Sequence, residues 1–387
     1  MSFTYFLPTT VKCSTGISRT VGEILLRDFG ADNVFIVTDR GIREAGLLEP
    51  ILAGLQERCV AYELFDETEP NPSADSIMNG LAKLKAAGMR HVLAVGGGSS
   101  IDTAKGIAIM ATNPGHILDY EGVGRLANDG YPVIAIPTTA GTGSEVTAST
   151  IVTNAQTHFK AAVISPRLFP KLALLDAELT RKLPPSITAA TGMDALTHAI
   201  ESYTSKSATP VSRAFALQAI AMIGRHLKPA YFVGDDMASR EGMLVASMMA
   251  GAAFAQSRLG NVHAISHTLG GIFNIAHGVA NAALLPYVMR FNMPACPDKM
   301  RDIASALGAD TGGLSAEAGA VLAIELVVGL NEALGIPKTI KELGVTLDKL
   351  PKMVDDAMKS GNVLINPRLT TPDDIRSIIE NAFHGAL

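Results

Sequence analysis

Three histidines, His263, His267 and His277, fall within fifteen residues of the segment GNVHAISHTLGGIFNIAHGVAN (260–281), in a chain of 387 residues with nine histidines. Upstream, GMDALTHAIE sets Asp194 and His198 four apart. Imidazole and carboxylate together are the ligand set of a catalytic divalent metal such as zinc or non-haem iron. On a helix over 188–203, positions i and i+4 share one face with side-chain origins about 5–6 Å apart, which is chelate spacing. Glu201 lies on the same side one turn further, where it can hold a ligand in place rather than bind the ion. His263 and His267 are again four apart, and His277 follows the Gly270-Gly271 break at the start of a new helical segment. This surplus exceeds what a catalytic metal needs, since one position must stay open for substrate. Spacing alone does not say which candidate drops out. His91, His116, His158, His226 and His384 have no such company and read as structural or surface residues.

A second chemistry lies in the first half. The apolar run His91–Val95 leads into Gly96-Gly97-Gly98-Ser99-Ser100 and then the helical IDTAKGIAIM. Strand, glycine turn and helix let backbone N–H groups and a helix N-terminus face a pyrophosphate, although a tight structural turn has the same look. Asp102 stands where a GxGxxG fingerprint would have its third glycine. A second loop, PTTAGTGSE (137–145), follows the run Pro132–Ile136 and offers four hydroxyls at the carboxyl end of a strand, where open α/β sheets bind ligands. Asp39 ends the run Asn33–Thr38. It reads either as an ordinary helix cap or as the acidic residue that accepts bonds from the ribose hydroxyls and repels a 2′-phosphate, favouring NAD over NADP. A dinucleotide loop and a metal in one chain suggest hydride transfer, with the nicotinamide carrying the hydride and the metal polarising an alcohol or carbonyl oxygen.

The elements that must position these groups alternate at first. The runs named above, with Ala61–Phe65, are separated by helical-period segments near 16–29, 41–57, 73–87 and 101–112, a pattern of βαβ units and a parallel sheet. A hairpin is expected with runs at Ser149–Val152 and Phe159–Ile164, and a last strand at Leu172–Leu175. After Leu183-Pro184-Pro185-Ser186, read as a break before a Ser cap, the periodicity is helical at 187–204, 208–226, 239–257, 261–272, 278–292, 316–334 and 372–385. The expected architecture is an α/β dinucleotide-binding domain with a parallel, Rossmann-like sheet over 1–184, followed by an all-helical metal-binding domain over 185–387.

Composition narrows the class. Hydrophobic residues make up 48% and charged residues 18%, with a formal net charge of −5 and a mean hydropathy of +0.26, so the chain is expected to be a well-buried globular protein, not a disordered one. Lys and Arg are scattered, which argues against nucleic acid. The N-terminal MSFTYFLPTTVKCSTG lacks a signal-peptide pattern. Gly242–Gln256 is too short and too rich in Ala and Gly for a membrane helix, which needs about 20 apolar residues. Cys13, Cys59 and Cys296 are distant and form no CxxC pair, which fits a reducing cytoplasm.

Taken together, these residues resemble the iron-containing (group III) alcohol dehydrogenases. The matching stretches are GGGSSIDTAK (96–105), IPTTAGTGSE (136–145), TAATGMDALTHAIESY (188–203), GNVHAISHTLGG (260–271) and NIAHGVANAALLP (274–286), with NPR at 366–368. The resemblance runs end to end. It implies a dehydroquinate synthase-like fold, a homodimer or higher oligomer, and a small alcohol or aldehyde substrate. It further implies Fe²⁺, alternatively Zn²⁺, on Asp194, His198, His263 and His277, which leaves His267 beside nicotinamide and substrate as a proton-relay residue. The dinucleotide contacts it implies are Asp39, Asn71, Gly97, Gly98, Ser99, Asp102, Thr138, Thr139, Thr142, Ser144 and Lys160. Phe254 would line the substrate pocket.

Two segments depart from the family pattern. Lys12-Cys13-Ser14-Thr15-Gly16 replaces an early Gly-x-Gly, and Ala255-Gln256-Ser257-Arg258 replaces an amide-rich FNNA-type segment. An Arg258 turned to the substrate would select an anionic aldehyde or oxo acid; an Arg258 at the surface or in an interface would not. A metal-free maleylacetate reductase-like enzyme would lack the ligands that are present here. A dehydroquinate-synthase-like lyase would need clustered basic residues that are absent from the sequence, and a binding module without catalysis would not need an open metal position.

Overall fold

A computed structural model describes residues 2–154 and 160–387. His158 and Phe159, and with them the start of the second hairpin run, lie outside the described residues. The chain forms two compact units. One comprises Leu7–Thr139 and Gly143–Lys182; the other comprises Met1–Phe6, Ala140–Thr142 and Leu183–Leu387.

The first unit runs β1 (Thr10–Cys13), α1 (Val21–Phe29), β2 (Asn33–Val37), α2 (Arg40–Glu44), α3 (Glu49–Glu57), β3 (Ala61–Phe65), α4 (Ala74–Ala87), β4 (Val92–Gly96), α5 (Gly98–Met110), β5 (Gly122–Val123), β6 (Val133–Pro137), β7 (Ser149–Thr153), β8 (Lys160–Ile164) and β9 (Leu172–Leu175). Six strands make a sheet in the order β1-β9-β6-β4-β2-β3, and every pairing in it is parallel. Side chains alternate between the two covered faces, which explains why the inner strands β4, β6 and β9 are apolar throughout. Phe35 and Val37 of β2 face one hydrophobic cluster with Ile77, Leu84, Ile101 and Ile107. Val34 and Ile36 face another with Val21, Leu25, Ile51 and Leu55. β7 and β8 form the expected hairpin, antiparallel from Ser149↔Ile164 to Thr153↔Lys160, and β5 joins β8 in a small second sheet.

The second unit holds α6 (Pro185–Thr204), α7 (Pro210–Phe232), α8 (Met237–Ser257), α9 (Asn261–Phe273), α10 (His277–Asn292), α11 (Pro297–Ala306), α12 (Ala316–Ala333), α13 (Leu350–Met358) and α14 (Pro372–His384). No strand occurs there among the described residues. Helix α6 packs against α7, α8 and α10 and is buried on nearly all sides from Thr188 to Thr204, as expected of a helix inside a helical domain. No described helix is long and apolar enough to cross a membrane.

Differences from the sequence reading have local causes. The segment 41–57 is two helices, because Gly46 takes a positive φ of 70° and ends the first. The segment 16–29 opens with a single 3₁₀ turn, Ile17–Thr20. Helix α6 starts at Pro185 with Pro184 as its cap, so the proline is the first helical residue, where its missing N–H costs nothing, and Ser186 is not the cap. Strands β1 and β5 and helices α11 and α13 were not expected. The two strands have only four and two residues, and the two helices only ten and nine.

Candidate metal centre

Asp194 and His198 come from one face of α6, His263 from the first turn of α9 and His277 from the first residue of α10. The structure brings one ligand atom of each to within 4.8 Å of the others. Asp194 Oδ1 lies 3.9 Å from His198 Nε2, 4.0 Å from His263 Nε2 and 3.8 Å from His277 Nε2. His267 is not among the four. It sits alongside, stacked on His277 with ring centres 5.2 Å apart and edge-on to His263 at 5.9 Å. His277 is 30% exposed while the other three are 6% or less, so the group is open on the His277 side.

The imidazoles are oriented by their other nitrogens. His198 Nδ1 meets the carbonyl of Gly141 at 3.2 Å, and His263 Nδ1 meets Glu201 Oε2 at 2.6 Å. A carbonyl only accepts, and so does Glu201 as a carboxylate; with these partners each Nδ1 carries the proton and each Nε2 turns a lone pair toward Asp194. Burial, followed by the neighbouring His198, His277 and His267, holds His263 well below the usual imidazole range. It is therefore neutral, the form that ligates a metal. A dication suits this donor set of three imidazole nitrogens and one carboxylate, with hard and borderline ligands that accept iron or zinc alike.

Glu201 has a second task. Gly260, the N-cap of α9, offers no side-chain cap of its own. Glu201 Oε1 accepts from Val262 N at 2.7 Å, and Asn366 Oδ1 accepts from Asn261 N at 3.3 Å. Two of the orphan donors of a helix start are thus capped from elsewhere in the unit. A Cβ on Gly260 would lie 2.9 Å from both acceptor oxygens, so a side chain there would push the caps away. Burial pushes Glu201 up to about 7, against the pull of the backbone N–H groups of Gly260, Val262 and His263. Asn366 is itself pinned by reciprocal bonds with Asn292 (2.7 and 3.1 Å). Arg368 lies over the Phe291 ring at 4.2 Å and donates to the Phe291 carbonyl. The NPR motif thus works as a clamp on the start of the helix that carries His263.

Asn281 escaped the sequence reading. Its Nδ2 donates to Asp194 Oδ1 at 2.6 Å and lies 3.1 Å from both His263 Nε2 and His277 Nε2. The signal was present, since Asn281 is four residues after His277 on α10, the same chelate spacing that revealed the other pairs. Phe254 stacks on His198 with ring centres 4.5 Å apart and gives the site an apolar wall. Arg258, at the end of α8, is exposed and has φ 59°, ψ −169°; its guanidinium lies beside Gly361.

In the α/β unit, most of the dinucleotide candidates lie at or after the carboxyl ends of β2, β4 and β6, while Asn71 follows β3 and Lys160 opens β8. Asp39 is the N-cap of α2, accepting from Ile42 N at 3.0 Å, and its other oxygen accepts from Ser100 Oγ at 3.2 Å. Gly96 closes β4 at φ 151°, and a Cβ there would meet Ser100 at 2.4 Å. Gly97 caps α5 without a side chain, and Gly98 and Ser99 open that helix. Ser99 Oγ donates to the Pro70 carbonyl at 2.6 Å, next to exposed Asn71. Thr138 is buried and Thr139 half-buried. Asp102 accepts from Ser144 Oγ at 2.5 Å and Ile151 N at 2.9 Å. Burial lowers the Lys160 ammonium from its usual range. Thr142 and Gly141 belong to the helical unit.

The profile described as iron-containing alcohol dehydrogenase matches residues 8–177, and that of the Fe-containing alcohol dehydrogenase family, C-terminal, matches 188–383. The chain belongs to the iron-containing alcohol dehydrogenase family. It is 41% identical to a 1,3-propanediol dehydrogenase of Citrobacter freundii, covering 98% of this chain and 99% of the relative. It is 39% identical to an NAD-dependent methanol dehydrogenase of Bacillus methanolicus, again covering 98% and 99%. The crystal structure of a 1,3-propanediol oxidoreductase superposes with a TM-score of 0.96 at 40% identity, covering 99% of this chain and all of that one. The family membership makes the chain an oxidoreductase that interconverts an alcohol and a carbonyl compound, and the parallel-sheet unit followed by a helical unit is the family's fold.

If Glu201 both caps α9 and orients His263, Glu201→Gln leaves one oxygen for two donors. Metal affinity, read by chelator competition, is expected to fall by about 10–100-fold with the fold retained. An unchanged affinity rules out the orienting role.

Proposed function

We propose that the chain is an NAD(H)-dependent, iron-dependent alcohol dehydrogenase that works as an aldehyde reductase on small uncharged substrates. The observation that carries this reading is the convergence of three imidazoles, two of them oriented by their Nδ1 partners, and one carboxylate beside an apolar ring, in a chain of this family. Asp194, His198, His263 and His277 would hold the ion, with the helical unit, 185–387, as the metal-binding domain. A divalent ion bound there supplies a Lewis acid for the substrate oxygen, and the nicotinamide supplies the hydride. The chain's own residues do the rest. Phe254 excludes water from the His198 side, and His267, stacked on His277, passes a proton between the substrate oxygen and solvent. Small alcohols in the names of the relatives from Citrobacter freundii and Bacillus methanolicus support a short substrate.

Within the proposed dinucleotide-binding domain 1–184, the contacts would be Asp39, Asn71, Gly97, Gly98, Ser99, Asp102, Thr138, Thr139, Thr142, Ser144 and Lys160. Asp39 keeps one lone pair on each oxygen after its two bonds, enough to accept from ribose hydroxyls, and its charge supports NAD over NADP. Cys59, exposed, and Cys296, buried, form no disulfide, which supports a reducing cytoplasm. Exposure of Arg258 supports an uncharged substrate over an anionic one.

Purified protein reconstituted with Fe²⁺ should oxidise NADH with short aldehydes; metal-loaded protein with no turnover across a broad aldehyde panel would refute the proposal. His263→Ala is expected to abolish metal retention and activity while NADH still binds, and unchanged metal content by elemental analysis would remove His263 from the ligand set. Asp39→Gly should erode the preference for NADH over NADPH by about tenfold, as kcat/KM ratios. Arg258→Ala is expected to leave kcat/KM unchanged for propanal and for an anionic aldehyde alike; a selective loss on the anion would reverse the substrate reading.

A further inference from the structure

Lys105 is 1% exposed in the interior of the α/β unit. Its Nζ donates to Ser144 Oγ at 2.8 Å, Thr147 Oγ1 at 3.0 Å and the Ser149 carbonyl at 3.0 Å, and lies 3.6 Å from Asp102 Oδ1. An ammonium has three donors and no acceptor, so all three protons are used; a neutral amine could not serve all three oxygens. Because Nζ occupies the acceptor side of Ser144 Oγ, the hydroxyl proton goes to Asp102 Oδ1 at 2.5 Å. The second oxygen of Asp102 accepts from Ile151 N at 2.9 Å, and its carbonyl accepts from Thr150 Oγ1 at 2.8 Å. One buried charge therefore fixes the direction of a chain from Lys105 through Ser144 to Asp102, and ties α5 to the end of the hydroxyl loop and to β7.

Burial lowers the Lys105 ammonium from its usual range, while Asp102 and Glu145 pull the other way. Glu145 is buried beside it and pushed up to about 7. A well-packed apolar side chain often stabilises an interior as well as a buried ion pair does. Stability alone thus gives little reason for a lysine here, and what the ammonium adds is direction.

The sheet order shows what that direction serves. Strands β2, β4 and β6 are neighbours, so their carboxyl ends form a row with steps of about 4.8 Å. A dinucleotide with its adenosine ribose at Asp39 and its pyrophosphate at Gly97–Ser99 extends its nicotinamide half to the next step, where Ser144 and Asp102 lie. Each Asp102 oxygen still has a lone pair. We propose that Lys105 is a positioning residue for the nicotinamide half of the cofactor, holding the Ser144 hydroxyl and the Asp102 carboxylate in one fixed orientation. The proposal rests on the reading of this unit as a dinucleotide site.

The test compares NADH with ADP-ribose, which lacks the nicotinamide, on the metal-loaded enzyme and its Lys105→Met and Ser144→Ala variants. Binding is read by fluorescence for NADH and by calorimetry for ADP-ribose. Lys105→Met is expected to weaken NADH about tenfold and to leave ADP-ribose within about twofold. Ser144→Ala should show the same split, and the double variant should be no worse than Lys105→Met alone, since both act through one chain. A residue that only supports the fold would weaken both ligands equally, and that result, or no change in either, overturns the proposal. Should Lys105→Met fail to fold, Lys105→Gln takes its place with the same split expected, because a neutral amide does not supply three donors. If the wild-type enzyme binds neither ligand, the dinucleotide reading fails and the proposal with it; if the wild type binds both and the variants keep its ratio, only the role of Lys105 falls.

Discussion

An imidazole can ligate a metal only when it is neutral and its free lone pair points one way, and the helical unit is built around that requirement. His198 and His263 could each present either nitrogen. The Gly141 carbonyl and the Glu201 carboxylate remove the choice by accepting the Nδ1 proton. Burial then keeps His263 unprotonated. Every larger feature nearby serves these two hydrogen bonds. Helix α6 is buried almost all round, so Asp194, His198 and Glu201 cannot swing out to solvent. The start of α9 is fixed by Glu201 and Asn366, and Asn366 is fixed by Asn292. A shift of α9 would cost the cap and the ligand orientation together, because one carboxylate supplies both.

The α/β unit solves a different problem with similar means. A dinucleotide needs backbone N–H groups free at a strand end and polar side chains that do not rotate. Glycine supplies the first, since the positive φ of Gly96 and the contact a Cβ would make with Ser100 leave no room for a side chain. For Ser144 the second comes from Lys105, which donates to the hydroxyl oxygen while the hydroxyl proton goes to Asp102. In both units a buried charged group sets the polarity of smaller neutral groups, and it can do so because the surrounding dielectric is low.

Much of this was legible beforehand. The runs Asn33–Thr38, Ala61–Phe65 and Leu172–Leu175 became strands within a residue of their expected bounds; β2 after Asn33 and β9 are buried and apolar, as strands covered on both faces of a parallel sheet are, whereas β3 is an edge strand with Glu63 in its middle. The pairs Asp194/His198 and His263/His267 announced a site through i, i+4 spacing, but only half of the second pair joins the group. Spacing fixes which side chains share a helix face, whereas the choice between His267 and His277 depends on how α9 and α10 meet, which is tertiary. Asn281 was overlooked for a chemical reason: an amide is not a usual metal ligand, so its identical spacing from His277 carried no weight. The Gly141 carbonyl could not have been found at all, since a backbone acceptor leaves no mark on residue type. The short β1 and β5 and the helices α11 and α13 were missed because segments so brief show too few periods to stand out.

The net charge of the metal group brings these strands together. One carboxylate, Asp194, stands among three imidazoles, so a dication held by these four groups would keep an excess of positive charge for the substrate oxygen. A second carboxylate in the first ring of ligands would have cancelled it and weakened the polarisation of the carbonyl. The second carboxylate is present, but one bond further out, where Glu201 spends its charge on the Nδ1 proton of His263 and on a helix start. At that remove it would raise the basicity of the imidazole and strengthen its hold on an ion, while direct neutralisation would be left to Asp194 alone. Interchanging these two roles along α6, seven residues apart and on the same side, would preserve the composition of the site and lose the balance between holding a metal tightly and leaving it acidic.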